Sequence, residues 1–239
     1  MIKLENVTKS YHKGTKAVDD ISFEVKGGEI VGFIGPNGSG KTTTMKLITG
    51  ILRADVGKIT VNGFNVRKDP MKTKESIGYI ADSPDMFLRL KGKEFLDLIG
   101  DIYHVPTEER RQRIEEFAEH FELTDALSAP MMSYSHGMRQ KIMVVAALMH
   151  NPPVWILDEP MVGLDPKSAF ELKQMMRRHA DAGNTVFFST HVLEVAEKLC
   201  DKVIIIKKGK LLFDGKMEEL EADSKNSSLE EIFLELTEK

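Results

Sequence analysis

The chain has one cysteine, Cys200, in 239 residues. No intrachain disulfide can form, so a reducing compartment is expected, and the thiol reads as a small core residue on a helix. No apolar run approaches the roughly 18 residues of a membrane span. The opening MIKLENVTKS has none of the apolar stretch of an export signal. Neither sign of charge dominates: 33 Lys and Arg stand against 37 Asp and Glu, a formal net charge of -4. That balance leaves no basic footprint for nucleic acid. There is no Cys-x-x-Cys pair, no Asn-Lys-x-Asp run of the kind that reads guanine, no internal repeat and no low-complexity segment. These absences exclude a disulfide-stapled scaffold, a membrane-spanning chain and a charge-driven nucleic-acid binder. A cytoplasmic chain is expected, with any membrane association supplied by a partner.

What remains is ordinary globular material, 41% hydrophobic and 29% charged, ample for a core. Short apolar or alternating runs bounded by glycine predict strands at Ile21–Val25, Glu29–Ile34, Lys58–Gly63, Val154–Glu159 and Thr185–Thr190. Lys202–Gly215 predicts a hairpin turning at Lys208-Gly209. Between these groups, from about Pro84 to His150, the pattern is helical, with Ile114, Phe117, Ala118 and Phe121 on one face. Helix-forming segments follow the strands ending at Ile34, Glu159 and Thr190, which predicts an α/β fold with parallel topology there. The N-terminal strands have short links and are expected to be antiparallel. EADSKNSS reads as a loose linker, and the tail SLEEIFLELTEK is amphipathic.

Gly35–Thr42, GPNGSGKT, fits the phosphate-loop pattern G-x-x-x-x-G-K-[ST] and lies between an apolar strand and a helix-like segment, the context that confirms it. Glycines let backbone N–H groups close on phosphate oxygens at a helix N-terminus. Lys41 supplies a point charge to the β and γ phosphates, and the Thr42 hydroxyl can hold Mg²⁺. The expected nucleotide contacts run through Gly35, Pro36, Asn37, Gly38, Ser39, Gly40, Lys41, Thr42 and Thr43. VWILDE then brings two acids to a strand end. Asp158 is placed to bind Mg²⁺ directly or through water, and Glu159 to polarise an attacking water. An acid pair alone would read as a helix cap; beside a phosphate loop it reads as chemistry.

Taken in order, these residues resemble the nucleotide-binding subunit of an ATP-binding cassette (ABC) transporter across nearly the whole chain. GPNGSGKT resembles the Walker A loop, VWILDEP the Walker B strand with its catalytic glutamate, and GLDP (Gly163–Pro166) the D-loop. YSHGMRQ (Tyr134–Gln140) resembles the signature usually written LSGGQ, its Ser135 lying 23 residues before Asp158. STH (Ser189–His191) resembles the strand end that carries the switch histidine. Tyr11, 30 residues before Lys41, stands where the family places an aromatic that stacks on adenine.

The resemblance implies a P-loop NTPase (RecA-like) core with an N-terminal antiparallel β-subdomain and an inserted helical subdomain. It implies one cassette over 1–239, with core over 1–83 and 152–222, helical signature subdomain over 84–151, and a C-terminal amphipathic helix over 223–239. It makes Lys41, Glu159 and His191 catalytic, with ATP and Mg²⁺ as cofactors. Ser135, His136, Gly137, Met138 and Asp165 would act across a subunit boundary, so the working unit would be a head-to-tail pair, expected to be a homodimer. Separate membrane-spanning permease chains would hold it at the cytoplasmic face of the cell membrane. No nucleic-acid partner is expected. The exporter branch that handles drugs, antibiotics or peptides is the best match.

Two positions depart from the pattern. Asp82 occupies the place of the Q-loop glutamine, and it is retained as a metal-site residue. His136 and Met138 replace a glycine and a glutamine of the signature, and His136 is expected to face solvent. The rival reading is a soluble ABC-type ATPase of translation or DNA maintenance. Its members usually carry paired cassettes, long coiled coils or zinc motifs, which are not seen here. A GTPase switch is a second rival, without its guanine-reading motif.

Overall fold

A computed structural model describes residues 1–222 apart from 13, 84 and 86. The expected tail helix over 223–239 lies outside the described residues. Strands β1 (Ile2–His12) and β2 (Thr15–Val25) pair antiparallel, with Leu4 opposite Phe23 and Val7 opposite Ile21. β3 (Ile30–Ile34) is buried along its whole length, as a central strand covered on both faces must be. It runs into the glycine-rich loop and helix α1 (Lys41–Ile48). β4 (Val56–Val61) and the two-residue β5 (Phe64–Asn65) complete an antiparallel sheet in the order β2-β1-β4-β5.

Helix α2 (Pro70–Glu75) precedes β6 (Ile77–Ile80). Then come α3 (Gly92–Ile102), α4 (Thr107–His120) and α5 (His136–Leu148). The chain continues through β7 (Val154–Leu157), α6 (Pro166–Asp181), β8 (Thr185–Thr190) and α7 (Leu193–Leu199). It ends, among the described residues, with β9 (Lys202–Lys207), β10 (Lys210–Lys216) and α8 (Met217–Ala222). The second sheet has the order β10-β9-β3-β8-β7-β6 and is parallel except for the β10–β9 hairpin.

Two cores hold these layers. On one sheet face Trp155, Leu157 and Phe188 pack with α5, α6 and the helices α3 and α4. On the other, Phe23 of β2 meets Phe33 of β3 and Phe187 of β8 with ring centroids 5.9 and 5.8 Å away, tying one sheet to the other. In register, Ile34 lies beside Thr190, Leu157 beside Phe188, and Ile80 beside Leu157. The C-terminal ends of β3, β8, β7 and β6 therefore share one edge, where open α/β sheets bind ligands.

Two histidines near the opposite end of β7 make the fold sensitive to acid. His150 stacks on Tyr103 with centroids 3.7 Å apart, and His179 meets the Trp155 ring edge-on at 5.6 Å. Burial pushes both down to about 4, against about 6.5 in the unfolded chain. Both are neutral in the fold, so the unfolded state takes up the protons first. Their contribution to stability is complete above pH about 6.5 and drains as pH falls toward about 4. Discounted for their partial exposure, the shifts amount to about 2 kcal/mol per ring. The unfolding midpoint should fall across that window, and His150→Phe with His179→Phe should flatten the fall. An identical pH slope in the double variant would refute the assignment.

Candidate nucleotide site

The loop after β3 is shaped by contacts that only glycine permits. A Cβ on Gly35 would lie 2.3 Å from the Ile206 carbonyl oxygen and 2.6 Å from Ser39 Oγ. Gly40 has φ +113, and a Cβ there would lie 2.5 Å from the Ala17 carbonyl oxygen. Pro36, Asn37, Gly38, Ser39, Gly40, Lys41, Thr42 and Thr43 line a cleft of about 250 Å³ with Ala17, Asp82 and Glu159. The cleft opens at the N-terminus of α1, whose unpaired N–H groups favour anions. Ser39 Oγ is buried and has no hydrogen-bond partner among the described residues.

Lys41 is 6% exposed. Its ammonium donates to the Gly35 carbonyl oxygen at 2.6 Å and lies 3.5 Å from Glu159 Oε1. Neither partner is a second cation, and an arriving phosphate offers the charge-assisted bonds that would displace them. Tyr11, at the end of β1, is 53% exposed, with its hydroxyl 3.3 Å from Thr43 Oγ1.

The paired acids sit just past the end of β7, which stops at Leu157 rather than continuing to Glu159. Asp158 is fully buried. Its Oδ1 accepts a 2.5 Å hydrogen bond from Ser189 Oγ, whereas Oδ2 has no hydrogen-bond partner among the described residues. Burial pushes this carboxyl up, with the hydroxyls of Ser189 and Thr42 opposing and Asp82 and Glu159 adding to the rise. A nearby divalent cation would reverse that balance. Glu159 takes φ +50, a left-handed conformation uncommon outside glycine. Its N–H donates to Ser189 Oγ at 2.9 Å, and its Oε2 lies 3.0 Å from His191 Nδ1. Ser189 thus fixes both acids from the neighbouring strand. The STH run draws notice for its histidine, and its serine is the residue that sequence reasoning missed.

Ser135, His136, Gly137 and Met138 do not line this cleft. Ser135 caps α5, accepting from the Met138 N–H at 3.2 Å, which leaves its hydroxyl proton free to donate. His136 is exposed, in keeping with the solvent reading, but its ring also lies over Gly163, where a Cβ would come 2.3 Å from His136 Cδ2. Met138 packs inward against the helical core. Asp165 caps α6, accepting from the Ser168 N–H at 2.9 Å, and pairs with Lys141 of α5 at 3.0 Å. The Ser168 hydroxyl and N–H, then Lys141, hold its carboxyl well below the usual range. With Gln140 Nε2 also donating to the Pro160 carbonyl oxygen at 3.4 Å, helix α5 and the loop before α6 are fastened together at three points.

The family model described as ABC transporter matches residues 18–162. The ABC transporter ATP-binding protein NatA of Bacillus subtilis is 34% identical over 238 residues, covering 98% of this chain and 97% of that protein. The linearmycin resistance ATP-binding protein LnrL of the same species is 37% identical over 90% of this chain and 69% of its own. The daunorubicin resistance ATP-binding protein DrrA3 of Streptomyces coeruleorubidus is 32% identical over 92% of this chain and 70% of its own.

Among solved structures, an ATP-binding subunit of an ABC transporter superposes with TM-score 0.93 at 31% identity, over 99% of each chain. A dimeric ATP-binding cassette in a post-hydrolysis state, bound to ADP and Pi, superposes with TM-score 0.84 at 27% identity, over 91% of this chain and 99% of that one. The sequence match runs through both the phosphate loop and the paired acids, and the structural match through the whole fold. On that basis the chain belongs to the ABC transporter family, as one of its ATP-binding, ATP-hydrolysing subunits.

Proposed function

We propose that the chain is the ATP-driven engine of an exporter whose membrane-spanning permease subunits are separate chains, working at the cytoplasmic face of the cell membrane. The observation that carries the chemistry is Glu159, held between Lys41 at 3.5 Å and His191 at 3.0 Å above the phosphate loop. In this reading Gly35–Thr43 cradle the phosphates, Lys41 binds the β and γ oxygens, and Tyr11 stacks on the adenine. Glu159 takes a proton from the attacking water, and His191 keeps that water and the γ-phosphate in register.

The buried, unpartnered Asp158 Oδ2 beside Thr42 fits a hydrated divalent cation. Thr42, Asp158 and Asp82 would hold Mg²⁺, which keeps several waters and neutralises phosphate charge. Ser135 and Gly137 would reach the γ-phosphate held by a second copy, with His136 exposed beside them, Met138 supporting that helix from within, and Asp165 at the subunit boundary coupling the two sites. Two head-to-tail chains would then enclose two ATP molecules, closing on ATP and parting after hydrolysis. The dimeric state of the cassette named above supports a pair of chains as the working unit.

We further propose the division into a core over 1–83 and 152–222 and a helical signature subdomain over 84–151, the latter docking the permease. Of the proposed drug, antibiotic or peptide cargo, the first two are supported by the resistance functions in the names of the LnrL and DrrA3 relatives. No described helix is long and apolar enough to cross a membrane. Gentle extraction of the tagged chain from native membranes should co-purify a polytopic membrane protein. Recovery with ribosomal or DNA-repair proteins instead would favour the soluble-ATPase alternative, which the relatives named above do not support.

A further inference from the structure

A second and larger cavity, about 650 Å³, lies between the C-terminal end of α1, strands β4 and β5, and helix α2. Its volume falls in the range of small-molecule sites, and nothing in the nucleotide chemistry uses it. Its apolar lining comes from Leu47 and Ile59, both buried, and from the half-buried Leu52 and Val66. Around it stand the exposed cations Arg53, Arg67, Lys68 and Lys74.

None of those four has an acidic partner within 4 Å among the described residues. The single lining acid, Asp55, is already engaged, accepting from Lys9 Nζ and from the Ser10 N–H, each at 2.8 Å. Lys58 also lines the cavity and has only a loose 3.6 Å pairing with half-buried Glu5. The walls therefore carry five cations against one acid, on a chain whose formal net charge is -4.

We propose that this cavity is a binding site for a phosphate-bearing amphiphile, with the phosphate among the free cations and the apolar body on the Leu47–Ile59 floor. Arg and Lys gather where phosphate is held, and an apolar floor under a charged rim selects a molecule with both characters. The head group could be supplied by a lipid or by a soluble phosphate ester, and the two sources differ in the size of the apolar body.

The test uses the full chain with Lys41→Ala, which weakens phosphate binding in the nucleotide cleft, so that the rim-charge variants below report on the second cavity. Calorimetric titration would compare dioctanoyl phosphatidate, below its micelle concentration, with phenyl phosphate. One saturable site per chain is expected, weakening with salt. Reversal of two rim charges, Arg67→Glu with Lys68→Glu, should weaken it at least about tenfold. Arg53→Glu with Lys74→Glu is an independent second pair, and unchanged unfolding midpoints would establish that both variants fold. Tighter binding of the phosphatidate would identify a lipid source, and equal or tighter binding of phenyl phosphate a soluble ester. Saturable binding of neither probe, or affinities indifferent to both charge reversals, would overturn the proposal.

Discussion

Replacing Glu159 by glutamine should lower ATP turnover by about two to four orders of magnitude while leaving ATP binding intact, the range expected for loss of a general base. The two side chains have the same length, so the glutamine can occupy the left-handed φ of +50 and keep the N–H bond to Ser189 Oγ. The amide can also still meet His191, because either ring nitrogen can serve as donor or acceptor. What disappears is a carboxylate able to take a proton from water. A negative charge 3.5 Å from Lys41 disappears with it. That leaves Lys41 freer to meet phosphate, so affinity should hold or rise, and a closed ATP-bound dimer should accumulate. Phosphate release and size-exclusion chromatography with ATP would read the two effects. Turnover within tenfold of wild type would remove Glu159 from the role of base.

Much of this site is legible in the sequence, because phosphate binding makes local demands. GPNGSGKT is contiguous, and each glycine, lysine and threonine in it answers to a nearby backbone requirement. Strand β8 likewise matches its expected span of Thr185–Thr190 in full. The β9–β10 hairpin turns at Lys208-Gly209 as expected, both at positive φ, as a tight two-residue turn requires.

The unread parts are those set by distant segments or by irregularity. β1 alternates buried and exposed residues only between register shifts, which break the period that marks a strand. β6 has four residues, too few to stand out, and exists because β7 offers it a parallel edge. Glu159 and His191 are 32 residues apart in sequence, and only the β7–β8 pairing brings them together. Ser189 escaped for the same reason: a strand serine has no sequence mark that tells which acids it will hold. His136 shows how partial a surface assignment can be, since its ring is exposed and also covers Gly163.

The head-to-tail arrangement makes a second strong prediction, because it divides each site between two chains. Ser135→Asp is the informative substitution. Aspartate caps a helix as well as serine does, so α5 and its bond from the Met138 N–H should survive. It also sets a carboxylate where the partner's γ-phosphate would arrive, and it removes the free hydroxyl proton. Lys41→Ala disables the other half of the site by deleting the cation of the phosphate loop. Each variant alone should lose at least about a hundredfold in turnover, the scale for losing one transition-state contact.

Mixed in equal amounts, they should recover. In a mixed dimer one site combines both lesions, while the other combines the intact loop of the Ser135→Asp chain with the intact signature of the Lys41→Ala chain. Random pairing makes half the dimers mixed, each with one working site of two, so turnover should reach roughly a quarter of wild type if the sites act independently. Differential tags would establish that mixed dimers form. Mixed dimers without any gain in turnover would mean that Ser135 and Lys41 do not serve one nucleotide from two chains, and the shared-site model would fall.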